Sequence, residues 1–123
     1  MILGIGTDIV EVERIQRALE NEPLKEKAFS VREIEYCSKD KSGQSYAARA
    51  AGKEAFFKAL GTGWRDSMQL HEVEILNDDL GKPYIELSGE TLNVFEQKGG
   101  GTIHISLSHI KLTAIAFVII ECK

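Results

Sequence analysis

The chain predicts an α+β fold in which a largely antiparallel sheet packs against helices, in the order βαααββαββ. Helices and strands are mixed along the sequence, and the strands of the second half fall into two local hairpins. The final segment, Thr113 to Ile120, is apolar on both faces from Ile115 onward, so helices should cover one face and something else the other. A subunit interface is the natural candidate for that second cover.

Ile2 to Asp8 is β-favouring and punctuated by glycine, with Leu3, Ile5 and Thr7 on one face and Gly4, Gly6 and Asp8 on the other. The glycine face invites close approach by another element. Val12, Ile15, Ala18 and Leu19 recur at helical spacing, with Arg14 and Arg17 on the opposite side. Ser30 followed by Glu33 is a capping-box pattern, opening a short helix that ends near Ser38. A long helix follows from Gln44 to Leu60, stopped by Gly61, and its many alanines permit close packing. Glu72–Leu76 and Pro83–Leu87 form a hairpin about the turn Asp78-Asp79-Leu80-Gly81. Thr91 to Lys98 is one more helix, closed by three glycines, and Thr102–Ser108 pairs with Leu112–Glu121. One domain, 1–123, accounts for the length.

Composition narrows the function classes. A formal net charge of −4 argues against a general nucleic-acid binder, which carries a basic face. Cys37 and Cys122 make neither a zinc motif nor a disulfide framework, so reduced thiols in the cytoplasm are expected. The apolar start lacks a basic leader and a cleavage site, and Leu112–Ile120 is too short to span a bilayer, so neither secretion nor membrane insertion is expected.

The tract Arg49 to Gly63 places charges inside a small, apolar helix. Glu54 and Lys58 share a face with Ala47 and with Ala50 or Ala51. One reading is a solvated Glu54–Lys58 pair, worth roughly 0.2–0.5 kcal/mol. The other brings in Asp8, which ends a strand on the glycine face, where an alanine-lined helix can approach. Two carboxylates without His or Cys suit Mg²⁺, with waters and phosphates completing its shell. Asp8 alone also reads as the N-cap of the helix starting near Glu11. His109 is balanced between a ligand contact and a structural role, while His104 leans structural and His71 reads as surface. Gly61-Thr62-Gly63 is either a helix stop or an amide approach to phosphate.

The runs Gly4-Ile-Gly-Thr-Asp-Ile-Val-Glu-Val-Glu-Arg-Ile15, Arg49-Ala-Ala-Gly-Lys-Glu-Ala-Phe-Phe-Lys-Ala-Leu-Gly-Thr-Gly63, Gly81-Lys-Pro83 and His104-Ile-Ser-Leu-Ser-His109 resemble, in order, the motifs of the short, stand-alone 4′-phosphopantetheinyl transferases of the holo-[acyl-carrier-protein] synthase family. The resemblance covers nearly the whole chain. It implies a phosphopantetheinyl transferase fold and transfer of 4′-phosphopantetheine from coenzyme A to a serine of apo acyl carrier protein. The second product is adenosine 3′,5′-bisphosphate, and the process served is fatty acid biosynthesis. It also implies a homotrimer with active sites at subunit interfaces. Residue by residue, it implies Asp8 and Glu54 as Mg²⁺ ligands and Lys58 as a catalytic cation near the coenzyme A phosphates, with Arg49, Gly61, Pro83 and His109 toward the nucleotide. Arg14 and Arg17 would meet the acidic carrier, although Glu11, Glu13, Glu20 and Glu22 surround them. The serine proton would go to a metal-bound water or a nearby carboxylate. Ala50 stands where the family usually has an aromatic, and Gly52 where it usually has alanine or another small residue. A non-catalytic coenzyme A-binding module and an oligomeric interaction protein are the competing classes.

Overall fold

The computed structural model describes residues 1–65 and 67–123. Strand β1 (Ile2–Glu11) leads into helices α1 (Val12–Ala18), α2 (Glu22–Ala28), α3 (Val31–Cys37) and α4 (Gln44–Leu60), then the hairpin β2 (Val73–Asn77) and β3 (Pro83–Leu87), helix α5 (Gly89–Gln97), and strands β4 (Gly100–His109) and β5 (Thr113–Cys122). The predicted order holds with one insertion, α2. Its start is written in Asn21, whose side chain accepts from the Leu24 amide at 3.1 Å, and in Pro23, suited to a first helical turn. The strand β1 also runs three residues past Asp8, so α1 is preceded by Glu11 and Asp8 is no cap.

All strand pairs are antiparallel. The order β1-β5-β4 makes one sheet, with Gly6 opposite Val118 and Asp8 opposite Ala116, and β2-β3 makes a second. The expected hairpin turn is present: Gly81 takes φ +85°, and Asp78 accepts from the Leu80 and Lys82 amides, both at 2.9 Å.

Helix α4 is central. A helix apolar on nearly every side belongs inside a domain, and here Ala47, Ala48, Ala51, Ala55, Phe56, Phe57, Ala59 and Leu60 are all buried. One side lies on β1 and β5, whose Ala114, Ala116, Val118 and Ile120 are fully buried. Another carries Phe56, which stands edge-on to Phe57 and packs near Phe95 of α5. Beyond its first two residues, Gln44 and Ser45, only the row Tyr46, Ala50, Glu54 and Lys58 of α4 remains partly open to solvent.

The glycine face of β1 does what its composition suggested. A Cβ at Gly4 would collide with the Ala59 carbonyl and one at Gly6 with the Ala55 carbonyl, so main chain rests on main chain. The departure at Gly52 has a packing reason as well, since a Cβ there would lie 2.5 Å from Ile75 Cδ1 and 3.2 Å from Ile105 Cδ1. The opposite face of the three-stranded sheet is open: Ile5 is 62%, Ile9 64% and Phe117 50% exposed.

Candidate active site

Asp8 lies on the glycine face one alternation beyond Gly6, and the close packing of Gly6 on Ala55 brings it beside Glu54. Burial pushes the Glu54 carboxyl above its ordinary range, and repulsion from Asp8 pushes it further, while Lys58 partly offsets both. A carboxylate whose proton affinity is raised by a neighbouring one leaves room for a cation beside it. The Lys58 ammonium takes part of that role, donating to Asp8 Oδ1 at 3.1 Å and to the Thr7 carbonyl at 3.0 Å. Its ion partner is therefore Asp8, across from the helix, rather than Glu54 one turn back.

The donor set fits a hard dication. Among the described residues no group of three or more His, Cys, Asp and Glu gathers as a metal cluster. Mg²⁺ commonly takes one or two carboxylates and keeps its remaining positions for water and phosphate, so a lone Asp–Glu pair at a half-open helix edge suits it.

Arg49 stands elsewhere. It is 4% exposed, stacks on the Tyr36 ring at 4.5 Å, donates through Nε to the Ile75 carbonyl at 3.1 Å, and bonds to Asn77 Oδ1. Asn77 pairs with Pro83 in the hairpin and donates to the Gly81 carbonyl at 2.9 Å. Arg49 and Pro83 are thus joined through one residue, and Arg49 stands five positions before Glu54, about 140° around the helix. His109 is exposed at the end of β4, opposite Ala114. Gly61 closes α4 at φ +83° with its amide bonded to the Phe57 carbonyl, three residues beyond Lys58. His104 meets Glu121 Oε1 at 2.6 Å, and His71 is exposed. Arg14 and Arg17 project from α1, the latter paired to Glu13 at 2.7 Å with both side chains in solvent.

The chain resembles known proteins over nearly its full length. It matches the 4′-phosphopantetheinyl transferase superfamily over residues 4–111. The chain belongs to that superfamily. This phosphopantetheinyl transferase is 50% identical to the holo-[acyl-carrier-protein] synthase of Ruminiclostridium cellulolyticum, over 98% of this chain and 93% of that one. It is 47% identical to the synthase of Treponema denticola, over 98% and 99%. Among solved structures, the Neisseria meningitidis synthase is 34% identical with a TM-score of 0.89, covering 98% of this chain and 99% of that one. The Bacillus anthracis synthase, in complex with CoA (3′,5′-ADP), is 34% identical with a TM-score of 0.83, covering 100% and 99%.

Sequence reasoning missed one buried charge pair, Lys53 with Glu33. Lys53, next to Glu54, is 1% exposed and reaches Glu33 Oε1 at 2.8 Å, the Val73 carbonyl at 2.6 Å and the Leu70 carbonyl at 3.0 Å. Glu33 is the capping-box carboxylate of α3, and its other oxygen accepts from the Ile75 amide at 3.0 Å. Burial lowers the proton affinity of Lys53, against which Glu33 acts in the other direction. The available signal was Lys53's place on the buried arc with Phe56, Phe57 and Leu60.

Proposed function

We propose that this chain transfers the 4′-phosphopantetheine group of coenzyme A to a serine of apo acyl carrier protein, giving holo carrier and adenosine 3′,5′-bisphosphate, for fatty acid biosynthesis. The observation that carries the reading is the Asp8, Glu54 and Lys58 cluster on the open edge of α4 in a chain of this superfamily. In the reaction the serine Oγ bonds to the β-phosphorus of the pyrophosphate while the bond from that phosphorus to the bridging oxygen breaks. The electron pair leaves with adenosine 3′,5′-bisphosphate.

Asp8 and Glu54 are the residues that would hold Mg²⁺. When bound there, the ion would neutralise charge on the pyrophosphate, which is most of what phosphoryl transfer asks of a protein. Lys58 supplies a second positive charge at the same edge, on a flexible stem that can follow a phosphate oxygen. The serine proton would pass to a water or a nearby carboxylate at this edge.

Arg49 and Pro83 sit together at the β2–β3 turn, on the far side of α4 from Glu54, and His109 lies at another sheet end. Their separation within one chain supports a site completed by a neighbouring copy: Asp8, Glu54, Lys58 and Gly61 from one chain, with the nucleotide end met by Arg49, Pro83 and His109. The open apolar face of β1 and β5 supports a homotrimer as the form that brings copies together. Arg14 and Arg17 are proposed to meet the acidic carrier. No helix among the described residues is long and apolar enough to cross a membrane, and the two free cysteines agree with a reducing cytoplasm.

The test is to incubate the protein with coenzyme A, Mg²⁺ and apo acyl carrier protein and to weigh the carrier by mass spectrometry. Phosphopantetheine should be added to the carrier, and Asp8→Asn and Glu54→Gln should each slow it by about a hundredfold or more, the scale of losing one electrostatic contact to transition-state charge. A carrier whose mass never changes at saturating substrate overturns the reading.

A further inference from the structure

Among the described residues, Lys58 is the one cation within ion-pairing distance of the Asp8 and Glu54 carboxylates. It touches only Asp8, and it is held by a second bond to the Thr7 carbonyl, on an edge strand. Asp8 is fixed in the middle of β1, and its side chain is 19% exposed, whereas that of Lys58 is 55% exposed on a four-carbon stem. Of the two partners, the lysine is the one free to move.

We propose that Lys58 is an exchanging counter-ion: in the metal-free protein its ammonium neutralises Asp8, and it leaves Asp8 when a divalent cation is taken by Asp8 and Glu54. This rests on the reading of those two carboxylates as Mg²⁺ ligands. An ammonium bonded to the same oxygen as a dication would face strong like-charge repulsion at a separation of a few ångströms. The ammonium is thereby released into the solvent-facing edge beside the site, where a phosphate oxygen of the substrate is its next partner. Lys58 thus serves Asp8 first and the pyrophosphate second, and metal loading precedes productive binding of the phosphate ligand.

The exchange predicts effects of opposite sign in Lys58→Met, which keeps the apolar stem and removes the charge. Without coenzyme A, calorimetry should show Mg²⁺ bound about threefold to fivefold more tightly than in the unaltered protein, the size of a partly exposed ion pair. With saturating Mg²⁺, the same variant should bind coenzyme A more weakly. In protein carrying ¹³C at the lysine ε-methylenes, the resonance assigned to Lys58 by its loss in the variant should shift along the Mg²⁺ binding curve. Circular dichroism and a thermal melt establish that the variant is folded.

A Lys58 resonance that stays in place while Mg²⁺ binds, in a manner sensitive to Asp8→Asn and Glu54→Gln, overturns the exchange and leaves the metal site standing. Equal or weaker Mg²⁺ binding by Lys58→Met does the same. An unaltered protein that binds no Mg²⁺ overturns the metal site itself and the exchange with it.

Discussion

Lys53 and Glu54 are neighbours in sequence with opposite fates. Glu54 looks out along the open row of α4, while Lys53 is enclosed with Glu33 under the hairpin. A buried ion pair is costly to break from one side, because the remaining charge has no water. Lys53→Met should therefore destabilise the protein by about 3–5 kcal/mol, read as a lower urea midpoint at unchanged slope. Lys53→Met with Glu33→Gln should recover part of the loss, since no net charge is then stranded. Equal stability of the single and double variants would show that stranding the Glu33 charge costs nothing. The capping role of Glu33 was legible in Ser30-x-x-Glu33, because a capping box is a local pattern. Its second role was not, because Lys53 and the Ile75 amide are 20 and 42 residues away in the chain and only the folded topology joins them.

At the scale of elements, the packing of α4 on β1 decides the site. Gly6→Ala would drive a methyl group into the Ala55 carbonyl, and neither main chain can yield cheaply. It should cost about 1–3 kcal/mol or more and should also weaken Mg²⁺ binding in calorimetry by separating Asp8 from Glu54. Gly52→Ala is the contrast. Its methyl would meet only the tips of Ile75, Ile105 and Leu107, and alanine gains roughly 0.5–1 kcal/mol in a helix interior, so its melting temperature should change little. The glycine face and the alanine stripe were both readable from spacing, as was the pairing of Asp8 with α4. The length of β1 was not: the strand read as ending at Asp8 with the first helix starting near Glu11, and it is the pairing of Ile9, Val10 and Glu11 with Ile115, Ala114 and Thr113 that makes them strand. Arg49 was legible as a charged residue in a conspicuous motif. Its enclosure against Tyr36 and Asn77 depends on the hairpin folding over α4.

At the scale of the whole molecule, the proposed interface between copies is the exposed apolar face of Ile5, Ile9, Phe117 and Ile119. Phe117→Asp should lower the mass seen by sedimentation equilibrium, and with it the transfer activity, while the urea transition of the separated chain stays two-state. An unchanged mass would place the interface between copies elsewhere. The two-faced apolar pattern of the last strand was plain in the sequence, and α4 does cover one side of it. Which surface meets the other side is a property of assembly and leaves no local mark in one chain. The contact of Gly4 and Gly6 with α4 has a mechanical meaning as well. With no side chain between the two backbones there is nothing compliant to absorb strain, so strand and helix move as one body. Asp8 and the backbone of Glu54 ride on that body, and the softest part of the site is the stem of Lys58.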